Sequence, residues 1–364
     1  MAEFKVLVIN PGSTSTKFAL FRGDHELLVK SINHPTEELE KFPAIIDQYQ
    51  YRKDVILNAM AEEGYQVSVL DAVVGRGGLL HALPDGGTYA VNELMKQHLI
   101  EGVGGEHASN LGGLIASAIG DEADKPAFIV DPVIVDELMP RARYTGIPEI
   151  ERKSIWHVLN QKAVARDYAI SIGRSYDELR LIVAHLGGGI SVAAHDRGRA
   201  VDVNNALDGD GPFTPTRAGT VPAMQLVDMA LSGKYDRPFF KSILSKKGGM
   251  MAHLGTHDAM EVHDRIAAGD THAHDVFDAM SYSVAKTITG LIPAFDGFKP
   301  DQIILTGGLG RDDVLVGNIT RMVAPLGIGI TVIPGERELK GLRDGAIRVL
   351  NGEEAAKVYK GKVL

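Results

Sequence analysis

The chain of 364 residues contains no cysteine, which excludes disulfides, thiolate zinc sites and cysteine nucleophiles. Positive charge is in deficit, with 38 Lys and Arg against 47 Asp and Glu and a formal net charge of −9. A general binder of phosphate backbones needs a basic face, so no nucleic-acid partner is expected. Any anionic ligand must instead meet cations gathered locally. Long uncharged runs are missing as well: the longest stretch without Asp, Glu, Lys or Arg is Leu181 to His195, and it holds two His and three Gly. That is shorter than the roughly 18 residues of a membrane helix. No signal-type apolar stretch follows Met1 to Lys5, so a soluble cytoplasmic protein with no membrane partner is expected. Low-complexity segments and linkers are absent.

What remains has ordinary globular composition, 45% apolar and 23% charged. The length allows two or three packed domains. Phe4 to Asn10 reads as a strand, Pro11 to Thr16 as a turn of small residues, and Lys17 to Phe21 as a second strand. A partner to this opening lies 175 residues downstream without a gap, where Lys5 to Asn10 falls on Arg180 to His185, Gly12 on Gly187 and Arg22 on Arg197. Two related domains follow, expected over 1–150 and 151–344, with a C-terminal helix at about 345–364 packing back on the first. Helical spacing predicts a helix from Ser154 to Gly173 joining the domains and another from His274 to Phe295. Gln302 to Thr306 reads as a buried strand running into Gly307-Gly-Leu-Gly310 and a helix from about Asp312.

Three small-residue turns therefore follow three strands, at Asn10 to Lys17, His185 to Ser191 and Thr306 to Gly310. None has the P-loop spacing, yet such turns can aim backbone N–H groups at phosphates. Cations near them would be Lys17, Arg76 and Arg217, although an Arg in a loop is ordinarily a solvated surface residue. The planar guanidinium suits a transferring phosphoryl group. Asp131, Glu336 and Glu338 follow strand-like segments and could serve magnesium, which needs only one or two carboxylates beside phosphate oxygens, or could cap turns. His253, His257, His263, His272 and His274 match no metal-site spacing and read as structural or surface residues.

Val8-Ile-Asn-Pro-Gly-Ser-Thr-Ser-Thr-Lys17 resembles the first phosphate loop of the acetate kinase family, within the acetate and sugar kinase, chaperone ATPase and actin superfamily. Ala184-His-Leu-Gly-Gly-Gly-Ile-Ser191 is similar to its second. Asp131-Pro132, Asn160 to Lys162 and Pro334 to Glu338 add to the likeness, which runs from Phe4 to about Gly345. The resemblance implies an α/β fold of two related actin-like ATPase domains, each a mixed sheet opening with a hairpin and flanked by helices, with an interdomain cleft. It implies an ATP-dependent kinase that phosphorylates a short-chain carboxylate to an acyl phosphate, with ATP/ADP and Mg²⁺, in a homodimer or higher homo-oligomer.

By the same resemblance Asn10, Ser13, Ser15 and Lys17 would line the phosphate site together with His185, Gly187, Gly188 and Gly189, while Arg76 and Arg217 face the transferring group. His107 and His157 would lie near the acyl substrate, and Asp131 would orient an arginine or a metal-bound water. Asp258, Gly307, Gly308, Gly310 and Arg311 would take adenosine, and Asn10 with Glu336 or Glu338 the metal. Gly188 stands where acetate kinases carry Asn, and Gly77 and Gly78 where they carry bulkier apolar residues. These departures look like the branch that uses butyrate, with Gly78 giving room in the acyl pocket and Trp156 standing where Phe is expected. Acetate, propionate or a branched acid is the alternative substrate. An actin-like or chaperone-type ATP switch is the alternative of another class, and it leaves Arg76 and Arg217 without a task.

Overall fold

The computed structural model describes residues 3–207 and 209–362. It divides into two compact units, one made of Met1–Asp136 with Arg337–Leu364 and the other of Glu137–Glu336. In chain order the strands of the first are β1 (Lys5–Pro11), β2 (Ser15–Arg22), β3 (His25–Asn33), β4 (Ala72–Arg76), β5 (Thr88–Ala90) and β6 (Ala127–Val130). The second contributes β7 (Arg180–Leu186), β8 (Ile190–Asp196), β9 (Arg199–Val203), β10 (Gln302–Gly307) and β11 (Ile330–Pro334). A last short strand, β12 (Lys357–Val358), returns to the first sheet, whose order is β12-β5-β6-β4-β1-β2-β3. The second sheet runs β11-β10-β7-β8-β9.

Both sheets open with an antiparallel meander and continue with parallel strands, except that β5 lies antiparallel to β6 in the first. Val6 to Ile9 of β1 and Leu181 to Leu186 of β7 are buried on both faces, as expected where continuous apolar runs form central strands. The 175-residue repeat is structural: β1 and β7 start that far apart, and so do β2 and β8. The second turn is one residue tighter, because Gly187 to Gly189 alone separate the paired Leu186 and Ile190, whereas Gly12 to Ser15 separate Pro11 and Thr16.

Alternation along β7 sorts its side chains between two layers. Ile182 and Ala184 face the helix Thr271–Gly290 through Val276, Phe277, Met280 and Val284. Leu181 and Val183 meet Val164, Ala165 and Ala169 of the helix Val158–Ser171. In the first unit the helix Asn110–Ala123 packs Leu111, Ile115 and Ile119 on Leu7, Ile9, Phe18 and Leu20. Each fully buried side chain of this size is worth about 1.5–3 kcal/mol.

Three helix expectations are corrected. The one expected from Ser154 starts at Val158 and lies wholly within the second unit, and the Ile155 carbonyl accepts from Ala206 N–H at 2.8 Å instead of from a helical turn. The one expected from His274 starts at Thr271, where Asp270 accepts from Ala273 N–H as cap, and stops at Gly290, with Pro293 in the short 3₁₀ turn that follows. The C-terminal helix is Glu338–Leu350, and Gly352 with positive φ ends it before β12. Residues 363 and 364 of the expected helix lie outside the described residues. Among the described residues no helix is long and apolar enough to cross a membrane.

Candidate active site

In the first unit β1 and β4 run parallel with Ile9 beside Gly75, so the strand ends bring Asn10 and Arg76 together. Glycine makes this possible, since a Cβ on Gly75 would collide with the Gly112 backbone and one on Gly112 with that of Arg76. The helix Asn110–Ala123 thus lies directly against the end of β4. Arg76 Nη1 donates to Asn10 Oδ1 at 3.2 Å and to Glu338 Oε2 at 3.0 Å, and Asn10 Nδ2 donates to the same Glu338 oxygen at 2.7 Å. Glu338 is the first residue of its helix, where a carboxylate also meets the positive end of the helix dipole. Glu336 is exposed and belongs to the other unit. Glu338 is the acid that joins Asn10 and Arg76. Lys17 pairs with Asn10 across the hairpin and is exposed.

Ser13 and Ser15 sit in the turn between β1 and β2, and what holds that turn was not foreseen. Arg52, in the helix Tyr49–Glu62, is fully buried beneath it. Its guanidinium donates to the carbonyls of Gly12 at 2.7 Å, Ser13 at 3.0 Å and Ser15 at 3.0 Å, and to Thr16 Oγ1 at 3.1 Å and Gln48 Oε1 at 2.8 Å. All these acceptors are neutral, and burial lowers the Arg52 pKa from its ordinary value. Because each peptide is trans and planar, carbonyls of Gly12 and Ser13 turned towards Arg52 send the N–H groups of Ser13 and Thr14 the other way. The turn is thereby an outward-facing pair of donors over a buried cation, suited to an anion. His34 braces it from the side, with Nε2 2.8 Å from Thr16 Oγ1 and Nδ1 3.3 Å from Tyr51 OH. The only sequence signal for Arg52 was an arginine on a helix face that turns inward.

Asp131 follows β6, is buried, and holds positive φ of 42°. Its Oδ1 accepts from Gly87 N–H at 2.6 Å, and its own N–H donates to Gly87 O at 3.0 Å. His107 Nδ1 lies 2.8 Å from Ser109 Oγ, and burial, followed by the Arg76 charge, pushes its pKa down and favours the neutral ring. Gly78 is buried, and a Cβ there would stand 2.5 Å from Asn110 Cα and 2.8 Å from Leu99 Cδ2. Its space is already filled by these neighbours.

In the second unit the turn Gly187 to Gly189 is anchored at Gly188 O, which accepts from Thr214 Oγ1 at 2.6 Å and Thr216 Oγ1 at 2.9 Å. Gly188 is exposed, and a Cβ there would meet Thr216 Oγ1 at an ordinary contact distance of 4.0 Å, whereas a Cβ on Gly189 would collide with the Arg217 guanidinium. Arg217 Nη1 donates to Ala206 O. His157 and His185 stack with ring centroids 3.8 Å apart and planes 6° from parallel. His185 Nδ1 accepts from Asn160 Nδ2 at 2.9 Å, and His157 Nδ1 lies 2.8 Å from Ser191 Oγ. Trp156 is buried edge-on to His195 with centroids 5.6 Å apart.

Gly307, with φ of 89°, closes β10 by exchanging hydrogen bonds with Gly335 at 3.1 and 2.8 Å. A Cβ there would strike the Leu186 backbone. Gly308–Arg311 forms a 3₁₀ turn with Gly308 exposed and Gly310 beside Pro334. Asp258 caps the helix Ala259–Ala267, and that helix is tied to the turn because His263 Nε2 lies 2.7 Å from Asp312 Oδ2. Asp258 and the Gly307 turn are thus parts of one local assembly.

The description "Acetokinase family" matches residues 149–355. The chain belongs to the acetokinase family. A Clostridium botulinum strain Alaska E43 member named "Probable butyrate kinase" is 50% identical over 360 residues, covering 98% of this chain and 100% of the relative. "Butyrate kinase 2" of Clostridium acetobutylicum is 48% identical over 358 residues, with the same coverage of each chain. Among solved members of like fold, Porphyromonas gingivalis acetate kinase superposes with a TM-score of 0.76 at 19% identity, covering 94% of this chain and 99% of that one. A Francisella tularensis propionate kinase gives 0.72 at 21%, covering 94% and 98%. At these identities the likeness shows the family fold.

Proposed function

We propose that the chain is a butyrate kinase, transferring the terminal phosphoryl group of ATP reversibly to the carboxylate of butyrate to give butyryl phosphate and ADP. Two relatives near 50% identity over almost the whole chain carry that name. The structural observation that carries the reading is Arg76, held by Asn10 and Glu338 beside the turn over Arg52. A fixed guanidinium next to outward N–H donors serves phosphoryl transfer, where catalysis is mostly positioning and neutralisation of charge.

A carboxylate of pKa near 4 is almost wholly ionised at neutral pH, so the acceptor needs no general base. Asp131, occupied by Gly87 N–H, is assigned to orientation, and His107, kept neutral, to hydrogen bonding with the acid. Arg76 and Arg217 would meet the transferring group, and Ser13, Ser15, Lys17 and Gly187 to Gly189 the remaining phosphates. Asp258 and the turn Gly307 to Arg311 would take the nucleoside.

Asn10 and Glu338 would hold magnesium through their side-chain oxygens. Among the described residues no three His, Asp or Glu side chains are grouped to hold a metal alone, as suits an ion that shares its shell with phosphate oxygens and water. Bound there, Mg²⁺ would supply neutralisation of phosphate charge. The test is ADP release with MgATP, with and without butyrate. Release that requires butyrate is expected, and equal release without it contradicts the reading.

A further inference from the structure

A chain of buried polar groups runs behind His157. Gln161 Nε2 lies 3.0 Å from Ser191 O and 2.7 Å from Ser191 Oγ, Gln161 Oε1 lies 3.0 Å from His195 Nε2, and His195 Nδ1 lies 2.6 Å from Tyr176 OH. Ser191, Gln161 and His195 are fully buried. Removed from bulk solvent, these groups satisfy one another through contacts within the chain.

One atom sets the direction of the whole series. The Ser191 carbonyl can only accept, so the Gln161 amide nitrogen must face it and the Gln161 oxygen must face His195. His195 then donates from Nε2, and in the neutral ring its Nδ1 accepts from the Tyr176 hydroxyl. At the other end Ser191 Oγ receives hydrogens from Gln161 Nε2 and, at 3.3 Å, from the His157 backbone N–H. Both its lone pairs are used. Its own hydrogen goes to His157 Nδ1 at 2.8 Å, and in the neutral ring the remaining hydrogen sits on Nε2.

We propose that Ser191, Gln161 and His195 are positioning residues that lock His157 in the Nε2–H form, so that it serves phosphoryl transfer as a hydrogen-bond donor and not as a base. The role in transfer rests on the carboxylate kinase reading. The tautomer does not. Stacking on His185 restrains the ring that the series orients, and a donor aimed at charge that grows on a phosphoryl or acyl oxygen stabilises the transition state more than the substrates.

The full-length protein labelled with ¹⁵N-histidine tests this, with His157 assigned by the loss of its signals in His157→Gln. Long-range ¹H–¹⁵N correlation should show His157 with unprotonated Nδ1 and protonated Nε2 in the parent. Ser191→Ala should shift the tautomer population and lower kcat about tenfold with little change in KM for butyrate, as for loss of one ordered hydrogen bond. Ser191→Thr should restore both. A parent His157 protonated on Nδ1, a Ser191→Ala tautomer unchanged from the parent, or a Ser191→Ala kcat within about twofold of it overturns the proposal. Butyrate-dependent ADP release by the parent decides the kinase reading separately.

Discussion

Arg76 Nη1 and Glu338 Oε2 meet at 3.0 Å although 262 residues separate them in the chain. The pair is half-buried, with side-chain exposures of 28% and 17%, so it fixes the guanidinium more firmly than a surface pair would. Arg76→Ala should lower kcat on the order of 10²-fold, the cost of one preorganised donor to transition-state charge. Steady-state kinetics would show it, and a parental kcat with only KM raised would mean that Arg76 merely binds substrate.

The same contact separates the two candidate carboxylates. Glu338→Gln should raise the Mg²⁺ concentration needed for half-maximal rate, whereas Glu336→Gln should leave it near the parental value, since it is Glu338 that meets Asn10 and Arg76 while Glu336 is exposed. Titrating activity with Mg²⁺ at saturating ATP reads the difference, which rests on the contacts of Glu338 with Asn10 and Arg76. The reverse ranking would move the metal to Glu336.

Arg52 offers a test of the first phosphate turn that touches no reacting atom. Arg52→Met leaves the carbonyls of Gly12 and Ser13 without the guanidinium that holds them, while the Ser15 carbonyl keeps only the Gly12 N–H at 2.8 Å. Each such bond to a charged donor is worth about 1.5–3 kcal/mol, so thermal stability should fall clearly and affinity for MgATP at least about tenfold. Calorimetric titration with a non-hydrolysable analogue checks the second effect. Parental affinity in a folded Arg52→Met protein would separate the turn from the nucleotide.

His34 gives the pH dependence. Burial, and then the Arg52 charge, lowers its pKa from 6.5 to about 4. The unfolded chain therefore takes up this proton between about pH 6.5 and 4 while the folded chain does not, so stability falls as pH falls through that window and is unaffected above it. At about 1.4 kcal/mol per pKa unit, the full loss across the window is on the order of 3 kcal/mol. His34→Gln can still hydrogen-bond Thr16 but does not titrate. Urea unfolding of both proteins from pH 7 to 4.5 should show the parent losing stability relative to the variant, and parallel curves would contradict the assignment.

The hairpin repeat was legible because a turn between two central strands tolerates few side chains, and the small residues at Gly12 and Gly187 to Gly189 recur at the same offset. Glu338 was not separable from Glu336, since what distinguishes them is the start of a helix and the unit to which each belongs. Arg52 left only the trace of an arginine on an inward helix face, because three of its partners are backbone carbonyls, which leave no mark on sequence. Gly78 read as room in a pocket, yet its neighbours are Asn110 and Leu99, and its smallness admits the helix Asn110–Ala123. Helix starts at Val158 and Thr271 were misplaced because a paired Ile155 and a capping Asp270 outweigh apolar spacing.

The most direct measurement of the central claim is acyl phosphate formation from MgATP with unbranched acids of two to five carbons, trapped by hydroxylamine. Two further buried methylenes are worth about 1.6 kcal/mol, so kcat/KM for butyrate should exceed that for acetate by roughly 15-fold, with ADP and hydroxamate formed in equal amounts. ADP formed without hydroxamate, or acetate turned over as well as butyrate, would contradict the account.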